Sequence, residues 1–242
     1  MLAKKLNAYW WSTYVVWTDI CNTLLPRSCR RSEQMAMARK DGRGWSSAAT
    51  AMQSQNLAGP PEKRKQKGFD ALRVYWAPVV CRGKVHLEIL GNGFPGETPE
   101  GAAQLVAKVR SVLNIRFQGR TQPTTLFTDK GRGFFHVNGK ITDEYKQALE
   151  DHKLKAYYPL KSDQPGNLQE VLLHETVVSW VRAREAVTLP KEPWKETPEE
   201  FAARIRDICR YINQEYDVNG VCKSFPRRVQ MVVDAEGDRI NK

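Results

Sequence analysis

The sequence has no apolar run long enough to span a membrane, and residues 1–13 lack the continuous apolar core of a signal peptide. Its five cysteines (Cys21, Cys29, Cys81, Cys209, Cys222) are scattered, with no CxxC pair and no histidine nearby at zinc-ligand spacing. That pattern argues against a disulfide framework or a structural zinc site and fits free thiols in a reducing compartment, the nucleus or the cytoplasm. Internal repeats are missing as well. The tetrapeptide ETPE occurs at 97 and at 196, but both copies are helix-start chemistry. Acidic residues are scarce: 27 Asp and Glu face 38 Lys and Arg, leaving a formal charge of +11. Such a balance is expected of a protein that meets polyanions, nucleic acid being the commonest.

What is present is a globular composition, 41% hydrophobic and 10% aromatic over 242 residues, enough to bury a sizeable core. Residues 13–20 read as a strand that ends on Asp19, where a buried carboxylate costs several kcal/mol unless something compensates it. Two further strands, 72–81 and 83–90, flank a turn at Arg82 and Gly83 and predict a hairpin. A helix follows, with Thr98 as N-cap, Pro99 at its first position and an apolar stripe through Ala102, Leu105, Val106, Val109 and Leu113. The strand at 124–129 ends, like the first, on an aspartate, Asp129. After a glycine-rich turn, a short helix capped by Thr142 and a strand at 155–160 are expected. A helix opening at Asn167 carries Glu170 in a capping-box position, and another begins at Thr197 and Pro198. This order of elements predicts an α/β domain with a mixed sheet over about 1–190, followed by a C-terminal helical extension over 191–242.

Residues 22–67 show no sustained period and read as an insertion. Between Arg27 and Lys67, ten basic residues stand against three acidic ones, so most of the excess charge sits there. Arg39, Lys40, Arg43, Lys63, Arg64, Lys65 and Lys67 are the candidate phosphate contacts, with a solvated surface loop as the alternative.

Two strands ending on aspartates and a helix opening on a glutamate match the needs of a two-metal phosphoryl-transfer site, since carboxylates are hard oxygen ligands suited to Mg²⁺. At these residues the sequence resembles the DDE transposases of the mariner superfamily. WSTYVVWTDICNTL is similar to that family's first catalytic block, RVYWAPVVCRGKVHLEIL to its second, TTLFTDKGRGFF to the block with the second aspartate, and YYPLKSDQPGNLQE to the segment with the third carboxylate. The resemblance runs from about Trp10 to about Glu185 and implies an RNase H-like fold, two Mg²⁺ or Mn²⁺ ions, and cleavage and joining of DNA strands. It assigns the catalytic and metal-binding roles to Asp19, Asp129 and Glu170. Forty residues separate Asp129 from Glu170; Glu175, with 45 intervening, is the rival and lies on another helix face. Two departures stand out: Ile20 replaces the usual acidic residue after the first aspartate, and Lys130 with Gly131 replaces Asn-Ala after the second. Only nine residues precede Trp10, so the family's helix-turn-helix domains are expected to be missing, leaving a catalytic domain that works as a homodimer or with a separate DNA-reading partner, or a repurposed remnant that binds without turnover.

Overall fold

The computed structural model describes residues 14–26, 71–116, 122–129, 131–157, 173, 176–189 and 196–234. Among them, six strands form one mixed sheet: β1 (Val15–Thr18), β2 (Cys21–Pro26), β3 (Ala71–Cys81), β4 (Lys84–Gly91), β5 (Thr125–Phe127) and β6 (Lys155–Tyr157). The helices are α1 (Pro99–Arg116), α2 (Asp143–Asp151), α3 (Ser179–Thr188), α4 (Pro198–Glu215) and α5 (Val218–Asp234). The sheet runs β4, β3, β1 with β2, β5, β6; the first three neighbours are antiparallel, the last two pairings parallel.

β1 and β2 are two halves of one strand. Trp17 pairs with Val80 and Thr18 with Val79, then Cys21 with Trp76 and onward to Pro26 with Ala71. The register is the same on both sides of the break, so Asp19 and Ile20 fall opposite Pro78 and Ala77. The ladder opens where β3 presents a proline, which has no N–H to donate. Asp19 fills part of the gap itself, its Oδ1 accepting the Ile20 N–H at 2.7 Å. The carboxylate expected at a strand end therefore sits inside a strand, at an interruption.

Alternation sends the two faces of the sheet into two cores. Val15, Trp17, Cys21, Leu25 and Phe127 join Val181 of α3, Phe201, Ile205 and Ile212 of α4, and Cys222 and Phe225 of α5. Val16, Ile20 and Leu126 join the buried stripe of α1 and Tyr145, Ala148 and Leu149 of α2. Trp17 and Phe127 both meet the edge of Phe225, at centroid distances of 5.3 and 6.0 Å. The C-terminal helices thus cover one sheet face as part of its core.

Arg82 and Gly83 have φ of 50° and 68°, the two positive values a type I′ hairpin turn demands. A Cβ on Gly83 would lie 2.7 Å from that of Asn219, so α5 also needs glycine there. Thr98 Oγ1 accepts the Gly101 N–H at 3.1 Å, and Thr197 with Glu200 forms a full capping box. Thr142 departs from its expected role. Its hydroxyl donates to the Gly133 carbonyl at 3.0 Å instead of capping α2, because that buried carbonyl needs a partner. Residues 22–26, read from sequence as the start of the insertion, belong to β2, whose exposed Asn22 and terminal Pro26 hide the strand period.

Candidate functional site

β1 and β5 are parallel neighbours, pairing Val15 with Thr125, Val16 with Leu126 and Trp17 with Phe127. Asp19 and Asp129 each stand two residues beyond the last of these pairs, just past the ends of β1 and of its parallel neighbour. Both lie within electrostatic reach of Cys21, a member of the core that also holds Val181 of α3. Asp19 is 8% exposed and Asp129 half-buried.

Each carboxylate is oriented by its own chain. Asp129 Oδ1 accepts the Gly131 N–H at 2.8 Å, as Asp19 Oδ1 accepts that of Ile20. A Cβ on Gly131 would come within 2.9 Å of Asp129 Oδ1, so a larger residue there would displace the carboxylate. Two residues on, a Cβ at Gly133 would lie 2.7 Å from the Thr98 carbonyl oxygen. The glycine-rich turn is therefore a spacer between Asp129 and the segment that starts α1.

That segment brings a group which sequence reasoning passed over. The buried Cys21 thiol is pushed well above its ordinary range, first by burial and next by Asp19, with Glu97 and Asp129 adding to the shift and Arg182 opposing it. Three carboxylates and a guanidinium thus lie in electrostatic reach of one thiol. Glu97 is exposed just ahead of α1, and Arg182 is exposed on α3. In the sequence Glu97 is only part of a helix-start tetrapeptide, and nothing marks Arg182, because both reach the site through the fold.

Glu170 and Glu175 lie outside the described residues, as do Arg39, Lys40, Arg43, Lys63, Arg64, Lys65 and Lys67. Among the described residues, no three His, Cys, Asp or Glu side chains gather to hold a metal ion. Asp19 and Asp129 supply the hard oxygen donors suited to a divalent cation. Cys21 beside them is held as a neutral thiol and is a poor ligand for one. Among the described residues no helix is long and apolar enough to cross a membrane.

The mixed sheet and its flanking helices define the class first: this is the fold of a mariner transposase catalytic domain. The catalytic domain of Mos1 mariner transposase superposes with a TM-score of 0.57 at 10% identity, over 99% of this chain and 90% of that one. The Mos1 transposase paired-end complex with the left transposon end gives 0.56 at 10%, over 99% of this chain and 60% of that one. The Mos1 strand transfer complex gives 0.56 at 12%, over 99% and 59%. The chain spans about 60% of the length of the transposase chain in the paired-end complex. No protein-family model matches the sequence, and no curated protein does. The α/β class, the RNase H-like mixed sheet and the likeness to mariner catalytic domains expected from the sequence are borne out.

Proposed function

We propose that this chain is a transposase-type polynucleotidyl transferase that cleaves DNA and joins the ends, with Asp19, Asp129 and Glu170 as its carboxylate set. The observation that supports this reading is that β1 and β5 are parallel neighbours whose pairing ends two residues short of Asp19 and Asp129, within a fold shared with a mariner transposase. Two divalent ions, Mg²⁺ or Mn²⁺, would neutralise charge on the attacking and leaving oxygens of an in-line displacement. The Mos1 paired-end complex has been solved with Mn and with Mg, which supports the same choice here.

The chain's own residues do the positioning. The strand break at Asp19 and the glycine turn after Asp129 orient the two carboxylates, through the Ile20 and Gly131 N–H groups. Asp19 and Asp129 would hold the ions, with Glu170, or its rival Glu175, as the third carboxylate. Arg182 sets a cation beside them that can hold a phosphate of the strand being cut. DNA is the partner, reached as a homodimer or through a separate DNA-reading protein, and the place of work is the nucleus.

A supercoiled-plasmid assay tests this. Nicking with Mg²⁺ or Mn²⁺, none with EDTA, and a loss on the order of 100-fold or more in Asp19→Asn, Asp129→Asn and Glu170→Gln is the expected result. Loss in Glu175→Gln with Glu170→Gln still active, at equal thermal stability, would transfer the third role to Glu175. The departures at Ile20 and Gly131 favour a second reading, a DNA-binding remnant without turnover. Metal-independent binding with no nicking would select it.

A further inference from the structure

Away from the carboxylates, the outer edge of β4 lies between the last turn of α1 and α4. Two hollows there, of about 660 and about 570 Å³, share His86, Arg116, Cys209 and Arg210 in their walls and form one groove. Its floor is Leu87 and Cys209, and its rim carries Lys84, Arg116, Arg206 and Arg210, all exposed. Two carboxylates also line it, and both are engaged: Glu88 by His86 at 3.0 Å and Lys108 at 3.9 Å, Asp207 by Arg210. Arg116 donates to His86 Nδ1 at 3.0 Å, while Nε2 stands 3.0 Å from Glu88. Lys84 and Arg206 pair with no carboxylate among the described residues.

We propose that this groove is a second track for the phosphate backbone of DNA, distinct from the carboxylate site; it rests on the reading that DNA is the partner. From Lys84 to Ile89 the strand extends about 17 Å, the axial rise of about five nucleotides in one strand of a duplex. Leu87 pairs with Pro78, which stands opposite Asp19, so the groove lies two strand spacings, about 10 Å, from the first carboxylate's backbone. An added peptide strand is the competing occupant of a sheet edge, and here the edge is already capped. The Asn213 amide takes both polar groups of Val85, donating to its carbonyl at 2.8 Å and accepting its N–H at 3.0 Å. The Leu87 N–H reaches the Cys209 thiol.

The test uses the full chain in EDTA with a random-sequence 30-base-pair duplex, titrated at several salt concentrations. Lys84→Gln, Arg116→Gln and Arg206→Gln together should flatten the slope of log affinity against log salt by about 2.7, about 0.9 for each phosphate no longer neutralised. A charge-matched control, Lys140→Gln, Lys146→Gln and Lys155→Gln, should change it far less. The pair Lys84→Gln and Arg206→Gln, which breaks no ion pair with a described residue, should account for about 1.8 and keeps the test valid if losing Arg116 destabilises the fold. Equal effects of groove and control sets, or an unchanged slope, overturn the track. So does loss of poly-glutamate peptide binding with DNA binding intact, which would make the groove a protein-docking site. An unaltered chain that binds no DNA sinks the transposase-type reading along with it.

Discussion

At the scale of single residues, the site depends on glycines as much as on carboxylates. Gly131 lets Asp129 close on its own turn, and Gly133 lets that turn touch the carbonyl of Thr98 beside Glu97. The contact is backbone against backbone, so no flexible side chain can give way. Gly133→Ala should cost about 1–3 kcal/mol, read as a lower denaturant midpoint, from forced separation of the two segments. Metal-dependent nicking should fall further than stability does, because the separation moves Asp129 relative to Asp19. A variant as stable as the parent would show that the turn can relax, and the spacer role would be lost. The sequence pattern KGRGFF displayed both glycines, yet it read as a generic turn. What makes Gly133 necessary is a carbonyl 35 positions earlier in the chain, which no local pattern contains.

At the scale of elements, legibility followed the range of the physics. Features decided within four or five residues were readable: the positive-φ turn at Arg82 and Gly83, the Thr98 and Thr197 caps, the stripe of α1. Features decided by a partner far along the chain were not, namely the Thr142 hydroxyl taken by Gly133, the strand break opposite Pro78, and β2. α5 falls within the helical extension expected over 191–242, but its bounds were not readable, because Pro226 interrupts its pattern and the packing of Phe225 against Trp17 and Phe127 is long-range. The join of α3 to α4 is also long-range. Arg204, 14% exposed, reaches Glu185 of α3 at 2.5 Å and Glu196 at 2.6 Å, with the two carboxylates 18% and 7% exposed. Burial alone would lower its pKa, but hydrogen bonds and charge from Glu196 and Glu185 outweigh it and hold the pKa above its usual value. Arg204→Met should therefore destabilise by about 3–5 kcal/mol, since it strands two buried anions. Adding Glu185→Gln and Glu196→Gln should restore most of the loss. If the single variant unfolds at the parent's urea concentration, the network is decorative and α3 is held by its apolar face alone.

At the scale of the whole molecule, the formal charge of +11 must be placed before it explains anything. Ten basic and three acidic residues between Arg27 and Lys67 account for most of it, and the groove along β4 holds a second, smaller share on ordered elements. If both meet phosphates, they should contribute separately to the salt dependence, because counterion release counts neutralised phosphates wherever they lie. Lys63→Ala, Arg64→Ala and Lys65→Ala together should weaken DNA binding evenly across sequences and flatten the salt slope by about 0.9 for each phosphate no longer neutralised. Combined with the groove substitutions at Lys84, Arg116 and Arg206, the two decrements should add if the two sets neutralise different phosphates. A combined slope no flatter than that of either set would mean that both grip the same phosphates. An arm triple that leaves the slope unchanged would make residues 27–67 a solvated insertion and leave the groove as the binding surface. The measurement is decisive because it compares slopes: affinity at one salt concentration mixes charge with folding, whereas the slope reports only how many ions the DNA gives up.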